Sequence, residues 1–248
     1  MIIGAVIIGD ELLSGKRQDK HFNHVQTVLA KRGLELSWTI IVGDDPEQLQ
    51  RFLSFTMASN DLVFCFGGIG ATPDDRTRQT AAKVAEVALM AHPEAVAEIE
   101  KQYGETAYPK RILMADLPEG SRIIPNPINR VPGFSLDDHH FMPGFPEMSW
   151  PMLQWVLDNL YPDLRNLAPE AEQTITITNS RESDLLDIMN QTLHRYPKLK
   201  LSSLPRLGDK PCLELSLRGK ENKVEDAMAE IKSALLQLEI TFSEIKTS

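Results

Sequence analysis

Cysteine is scarce in this chain, with two in 248 residues, Cys65 and Cys212. Each lies inside an apolar, strand-like stretch and the two fall in different parts of the chain. Neither a disulfide framework nor a cysteine metal centre is therefore expected, and both read as core residues. Basic charge is also short: 26 Lys and Arg stand against 35 Asp and Glu, a formal net charge of −9. That balance argues against a general nucleic-acid binder, which needs a basic face. A membrane-length apolar run is missing as well. Met1 to Ile8 is too short to span a bilayer, has no basic segment ahead of it and ends in Gly9-Asp10-Glu11. It reads as the first strand of a cytoplasmic protein with no membrane association. Two familiar phosphate-loop signatures are absent too: the third glycine of a G-x-G-x-x-G pattern is Pro73 here, and no Gly-Lys-Ser/Thr follows.

What is present is organised around Asp61 to Asp75. Leu62 to Phe66 is a short apolar run closed by glycines, the pattern of a buried strand running into a loop. Gly67, Gly68 and Gly70 let backbone N–H groups approach a ligand with no Cβ in the way. Thr72 stands where it would cap a helix beginning near Pro73, with Asp74 and Asp75 in the first turn. Two carboxylates beside a phosphate cradle repel a bare phosphate unless a divalent cation lies between them, so a metal-bridged phosphate is the natural occupant.

The strand, acidic loop, helix order occurs three times. Ile2 to Ile8 leads through Gly9-Asp10-Glu11 to a helix over Lys20 to Arg32. Leu36 to Val42 leads through Gly43-Asp44-Asp45-Pro46 to a helix over Glu47 to Met57. Leu62 to Phe66 leads through the glycine loop to a helix over Arg76 to Met90. Three such units predict a parallel sheet with right-handed crossovers. Their loops emerge at one carboxyl edge, so Asp10, Glu11, Asp44, Asp45, Asp74 and Asp75 can share a crevice.

Pro93 to Tyr103 predicts another helix. The proline-rich stretch from Gly120 to Phe145 predicts short strands and turns, with Asn126 and the pair His139-His140 among its polar side chains. Adjacent histidines on a strand face opposite ways and do not readily ligate one ion. A helix over Met148 to Leu160, carrying Trp150, Leu153, Val156, Leu157 and Leu160 as its buried stripe, completes an α/β domain over residues 1–165. The sheet would lie between two helical layers. Tyr161 to Glu172 reads as a linker. Residues 170–248 follow as a smaller α+β domain with the order β-α-β-β-α, a turn at Leu207-Gly208-Asp209 and an edge strand at Ile240 to Phe242. That domain lacks a polar constellation and reads as a self-association module, giving a homodimer or small homo-oligomer.

Four segments together resemble one family. Gly9-Asp10-Glu11-Leu12-Leu13-Ser14-Gly15, Val42-Gly43-Asp44-Asp45, Gly67 through Thr77, and Pro143-Gly144-Phe145-Pro146 look like the molybdopterin-binding-like domain of CinA-type proteins, related to MoaB and MogA. The tail resembles the small KH-type second domain of CinA. With no G-x-x-G between Gln173 and Leu238, the likeness does not import RNA binding. The nicotinamide-nucleotide amidase domain that ends full-length CinA is not expected here.

The resemblance implies a nucleotide or pterin ligand and a divalent metal, Mg, Mn or Co. It implies a hydrolase splitting the diphosphate of ADP-ribose or a related compound. The alternatives are a molybdopterin-binding protein of molybdenum-cofactor synthesis and a non-catalytic nucleotide-binding regulator. By position it implies Asp44, Asp74 and Asp75 as catalytic and Asp10, Glu11, Asp44 and Asp75 as metal ligands. Gly9, Gly67, Gly68, Gly70, Thr72 and Asn126 would hold the ligand. Where the family commonly has Asp-Thr-Asn, this chain has Asp19-Lys20-His21; where it often has Lys-Gln-Ala, this chain has Leu113-Met114-Ala115, and Lys20, Lys110 or Arg111 would supply the missing cation.

Overall fold

The computed structural model describes residues 1–166, 170–206 and 212–244, and the turn predicted at Leu207-Gly208-Asp209 lies outside them. The chain divides into two compact units, Met1–Asn166 and Leu167–Ser248.

The first unit is built on a six-stranded sheet. β1 (Ile3–Ile8) is buried at all six positions, because it sits between β2 (Trp38–Val42) and β3 (Leu62–Phe66) with helices over both faces. β1 pairs with both neighbours in parallel, and β3 pairs in parallel with β8 (His139–Met142). The sheet then departs from the parallel one that the repeats predict. β7 (Gly133–Leu136) and β6 (Arg122–Ile124) continue it antiparallel, because β7 turns into β8 through the two-residue hairpin Asp137-Asp138. A hairpin that short can join only antiparallel strands. The sheet is mixed.

Alternation along the strands separates two cores. Val6, Ile8, Val63 and Cys65 face one cluster with Leu49 and Leu53 of α3 (Pro46–Met57), Ala81 of α4 (Thr77–Val84) and Ile99 of α5 (Pro93–Tyr103). Ile3, Ile7, Phe64 and Phe66 face the other, with Val25 and Leu29 of α2 (His21–Ala30) and Leu153, Val156 and Leu157 of α6 (Pro146–Asn159). Each Val, Leu, Ile or Phe side chain among them, buried whole, contributes on the order of 1.5–3 kcal/mol. Trp150 lies off that stripe and stacks on His24, with ring centroids 4.0 Å apart. Arg32, beyond the end of α2, ties this layer together by donating to the Leu157 carbonyl at 3.2 Å and pairing with Asp158.

The third helix is shorter than predicted. α4 starts at Thr77 and stops at Val84, Glu86 takes a left-handed φ of 56°, and Leu89–Ala91 becomes β4, paired antiparallel with β5 (Asp116–Pro118). The alanine-rich composition favours helix, but Leu89 and Met90 find a strand partner instead.

The second unit runs β9 (Ala171–Thr178), α7 (Leu186–Arg195), β10 (Lys200–Arg206), β11 (Cys212–Gly219), α8 (Glu221–Gln237) and β12 (Phe242–Glu244). Its antiparallel sheet has the order β10-β11-β9-β12, the ferredoxin-like split-βαβ arrangement rather than the KH-type fold the resemblance implied. Ile175, Ile177, Leu213, Leu215 and Leu217 of the sheet pack with Met189 of α7 and Val224, Met228, Ile231 and Leu235 of α8.

Candidate functional site

The four parallel strands end at one edge, and the loops that leave them enclose a crevice of about 420 Å³. Gly9, Glu11, Asp44, Gly67, Gly68, Gly70, Thr72, Asp74, Asp75 and Asn126 all line it. Asp10 does not; it belongs to the short helix α1 (Asp10–Leu13), and its carboxylate turns to the backbone of Asp44. Lys20 lines an adjacent lobe of about 490 Å³, which shares Glu11, Arg17, Gly144 and Phe145 with the first.

The glycine loop has a defined polarity. The Gly67 carbonyl accepts from Thr77 Oγ1 at 3.0 Å, the Gly68 carbonyl from Thr77 N–H at 2.9 Å, and the Gly70 carbonyl from Arg78 Nη2 at 2.7 Å. In a trans peptide the next N–H points the opposite way, so tying these carbonyls back turns the N–H groups of Gly68, Ile69 and Ala71 away from α4. All three residues line the crevice, and among the described residues none of the three N–H groups has a hydrogen-bond partner. Gly68 sits at φ 68°, and a Cβ there would overlap Thr77 Oγ1, while one on Gly70 would overlap Asp75 Oδ2. The loop needs glycine for these close approaches.

Thr72 is not the helix cap that the sequence predicts, because α4 begins five residues later. It closes a turn with Asp75, whose Oδ2 accepts from Thr72 N–H at 2.9 Å and from Thr72 Oγ1 at 2.5 Å. The Asp74 carboxyl is held below the usual range by the neighbouring Thr72 side chain first, and then by its own amide and Arg76. The Asp44 carboxyl lies above it, through burial first and then the charges of Asp10, Glu11 and Asp74, against one N–H donated by Asp10.

Asp10, Glu11, Asp44 and Asp75 do not assemble into a ready-made ligand set. Among the described residues no three His, Cys, Asp or Glu side chains are grouped to hold an ion. One oxygen of Asp10 and one of Asp75 are already spent on backbone N–H groups. A divalent cation held by these carboxylates would have to take most of its shell from oxygens outside the protein, as Mg²⁺ commonly does. Asn126 is 4% exposed and spends both amide hydrogens internally, on Asn129 Oδ1 at 2.8 Å and the Val131 carbonyl at 3.0 Å. It shapes the wall by fixing the turn from 126 to 131.

Several residues at the site carry no motif in the sequence. Arg17 lies where the two lobes meet and, among the described residues, has no ion-pair partner. Its place in the first acidic loop is the one signal that could have found it. Tyr103, at the end of α5, and Asn129 complete the wall. His21 is buried, stacked on Phe66 at 4.4 Å and bonded through Nε2 to the Gly144 carbonyl at 3.1 Å; burial holds its pKa below the usual value. His139 and His140 stand at the start of β8, away from the crevice at its far end, and His140 bonds Ser135 Oγ and the Tyr161 hydroxyl. A wider groove of about 1040 Å³ lies in the second unit. Its Arg195 and Lys223 are paired with Glu230 at 3.1 Å and Asp226 at 3.3 Å.

Comparison with known proteins agrees with the first unit's architecture. Residues 4–165 match the family described as "Probable molybdopterin binding domain". A CinA-like protein of Geobacter sp. (strain M21) is 34% identical over 184 residues, covering 71% of this chain, and the chain spans 44% of that relative's length. A protein of Caldivirga maquilingensis is 26% identical over 246 residues, covering 94% of this chain and 93% of its own. The crystal structure of CinA from Thermoplasma acidophilum, a protein of unknown function, superposes with a TM-score of 0.58 at 27% identity over 64% of this chain and 99% of that one.

Proposed function

The chain belongs to the molybdopterin-binding-domain family and is CinA-like, and from that premise we propose that its crevice binds a phosphorylated pterin, with a phosphate group seated on the glycine loop. One observation carries this reading: among the described residues the N–H groups of Gly68, Ile69 and Ala71 lack partners, while the carbonyls beside them are tied to Thr77 and Arg78. Such an array is an anion receptor before any metal is added. Arg17, at the junction of the lobes, supplies a cation for a second phosphate or a carboxylate.

A second reading, hydrolysis of a diphosphate such as that of ADP-ribose, is favoured by the crowding of Asp10, Glu11 and Asp74 around Asp44. A cation there would relieve like-charge repulsion, polarise a phosphoryl oxygen and lower the pKa of bound water. Calorimetric titration of the full chain with molybdopterin, AMP, ADP-ribose and inorganic phosphate, each with and without Mg²⁺, separates the two. Pterin and phosphate binding without metal is expected. Release of AMP and ribose 5-phosphate from ADP-ribose would move the assignment to hydrolysis, and no binding of any of the four would end both readings.

A further inference from the structure

Arg78 is 4% exposed, and its guanidinium donates to three carbonyls from separate segments: Gly70 at 2.7 Å, Leu113 at 2.5 Å and Asp116 at 2.9 Å. Among the described residues no carboxylate lies within ion-pair distance of it, and its Nε has no hydrogen-bond partner. A guanidinium whose hydrogen bonds all go to backbone oxygens is a costly way to brace a fold, because the desolvation of the charge is offset by dipoles and by the carboxylates of Asp116 and Asp75 beyond ion-pair distance.

Its effect on the neighbouring loop is specific. Gly70 C=O and Ala71 N–H belong to one peptide plane and point in opposite directions. Whatever holds that carbonyl also aims that N–H. Thr77 does the same for the Gly67–Gly68 and Gly68–Ile69 peptides through the carbonyls of Gly67 and Gly68. The carbonyl of Gly70 is the one held by a side chain from the second position of α4, and that side chain reaches on to the 113–116 segment, which places Met114 in the crevice wall. Without the guanidinium nothing described holds the Gly70–Ala71 peptide in its present sense. With glycine on one side, the plane can turn and present a carbonyl oxygen to the ligand in place of an N–H.

We infer that Arg78 is the positioning residue of the cradle: it fixes the Gly70–Ala71 peptide with its N–H toward the crevice, and so makes the loop a receptor for a tetrahedral oxyanion. The inference rests on the proposed phosphate-binding role and adds which residue sets it. Arg78 touches no ligand in this scheme. Its positive charge, close behind the loop and screened little by water, adds to the pull on a phosphate.

The test uses the full chain with Arg78→Met, Arg78→Lys and inorganic phosphate as probe. Arg78→Met is expected to bind phosphate about tenfold more weakly, equivalent to about 1.4 kcal/mol, with Arg78→Lys between it and the wild type. A fall in melting temperature alone would come from any buried arginine, so the deciding readout is the Ala71 amide in nuclear magnetic resonance. In the wild type its resonance should shift on adding phosphate; in Arg78→Met that response should vanish, and its N–H residual dipolar coupling, measured without ligand, should show a turned peptide. An unchanged coupling, or undiminished phosphate affinity in Arg78→Met, overturns the inference. If Arg78→Met does not fold, the same coupling in Arg78→Lys decides. A wild type that binds no phosphate overturns the proposed function instead, and the ligand-free coupling still rules on the peptide.

Discussion

Asp10 and Asp44 are joined by two reciprocal hydrogen bonds: Asp10 N–H donates to Asp44 Oδ2 at 2.9 Å, and Asp44 N–H donates to Asp10 Oδ1 at 3.1 Å. The residues lie 34 apart in sequence, one after each of two adjacent strands, and the exchange clamps the first two loops at the crevice. Gly43 accommodates it, since a Cβ there would overlap Asp10 Oδ1.

The clamp makes a signed prediction. The folded pKa of Asp44 is raised, so the ionised carboxylate destabilises the fold above its unfolded pKa, and that penalty fades as pH falls and the group protonates. Asp44→Asn keeps an oxygen for the Asp10 N–H and removes the charge. Its melting temperature at pH 7 should match or exceed that of the wild type, with the difference gone by about pH 3, below the ordinary carboxylate range. Asp10→Ala should cost about 1 kcal/mol at pH 7, because it leaves the Asp44 N–H without its acceptor.

Gly68 and Gly15 form a matched pair. Both have left-handed φ, 68° and 72°, but a Cβ on Gly15 meets nothing within 4 Å, whereas one on Gly68 overlaps the hydroxyl that holds the Gly67 carbonyl. Gly15→Ala should lose only the left-handed penalty, about 1–2 kcal/mol. Gly68→Ala should lose more, by chemical denaturation, and should also lose phosphate binding.

Much of the first unit was legible because its signals are local. Continuous apolar runs mark β1 and β3, acidic loops follow β1, β2 and β3, and Pro46 and Pro93 open helices at their first position. The antiparallel half of the sheet was not, since strands of three or four residues such as Arg122–Ile124 and Gly133–Leu136 are too short for a period to show. The crevice membership of Asp44, Asp74, Asp75 and the glycines follows from strand order, which pattern can reach. Their division of labour does not: which carboxylate oxygen meets which N–H, and that Arg78 rather than Lys20 stands behind the cradle, depend on a helix that starts at Thr77 instead of Pro73.

His139 and His140 predict how the fold responds to acid. Burial lowers their pKa values to about 4 and about 3, below the ordinary value near 6.5. A depressed folded pKa means that the unfolded chain binds more protons in this window, so stability is full above about pH 6.5 and falls as pH drops toward these values. The loss should reach up to about 3 kcal/mol apiece by pH 4. Urea unfolding between pH 8 and pH 4 checks it. His139→Phe, whose parent Nε2 is buried without a partner, should flatten the profile, and an unchanged slope in that variant would remove His139 from the account.

Asp75 separates the metal-free and metal-bridged readings of the crevice. Its Oδ2 holds the turn by accepting from both the N–H and the hydroxyl of Thr72. Asp75→Asn retains an oxygen for those donors, so stability should change by about 1 kcal/mol or less. The charge is what disappears. If phosphate sits on the N–H groups of Gly68, Ile69 and Ala71 unaided, removing a nearby negative charge should leave metal-free affinity the same or slightly tighter. If a divalent cation bridges Asp75 to the ligand, the wild type should gain affinity on adding Mg²⁺ and Asp75→Asn should lose that gain, because an amide oxygen is a much weaker ligand for a hard cation than a carboxylate. Phosphate titrations of both proteins at several Mg²⁺ concentrations, with melting temperature as the check on folding, give the answer. The free N–H array predicts the first outcome as the dominant one, since it supplies three donors to the anion before any cation arrives.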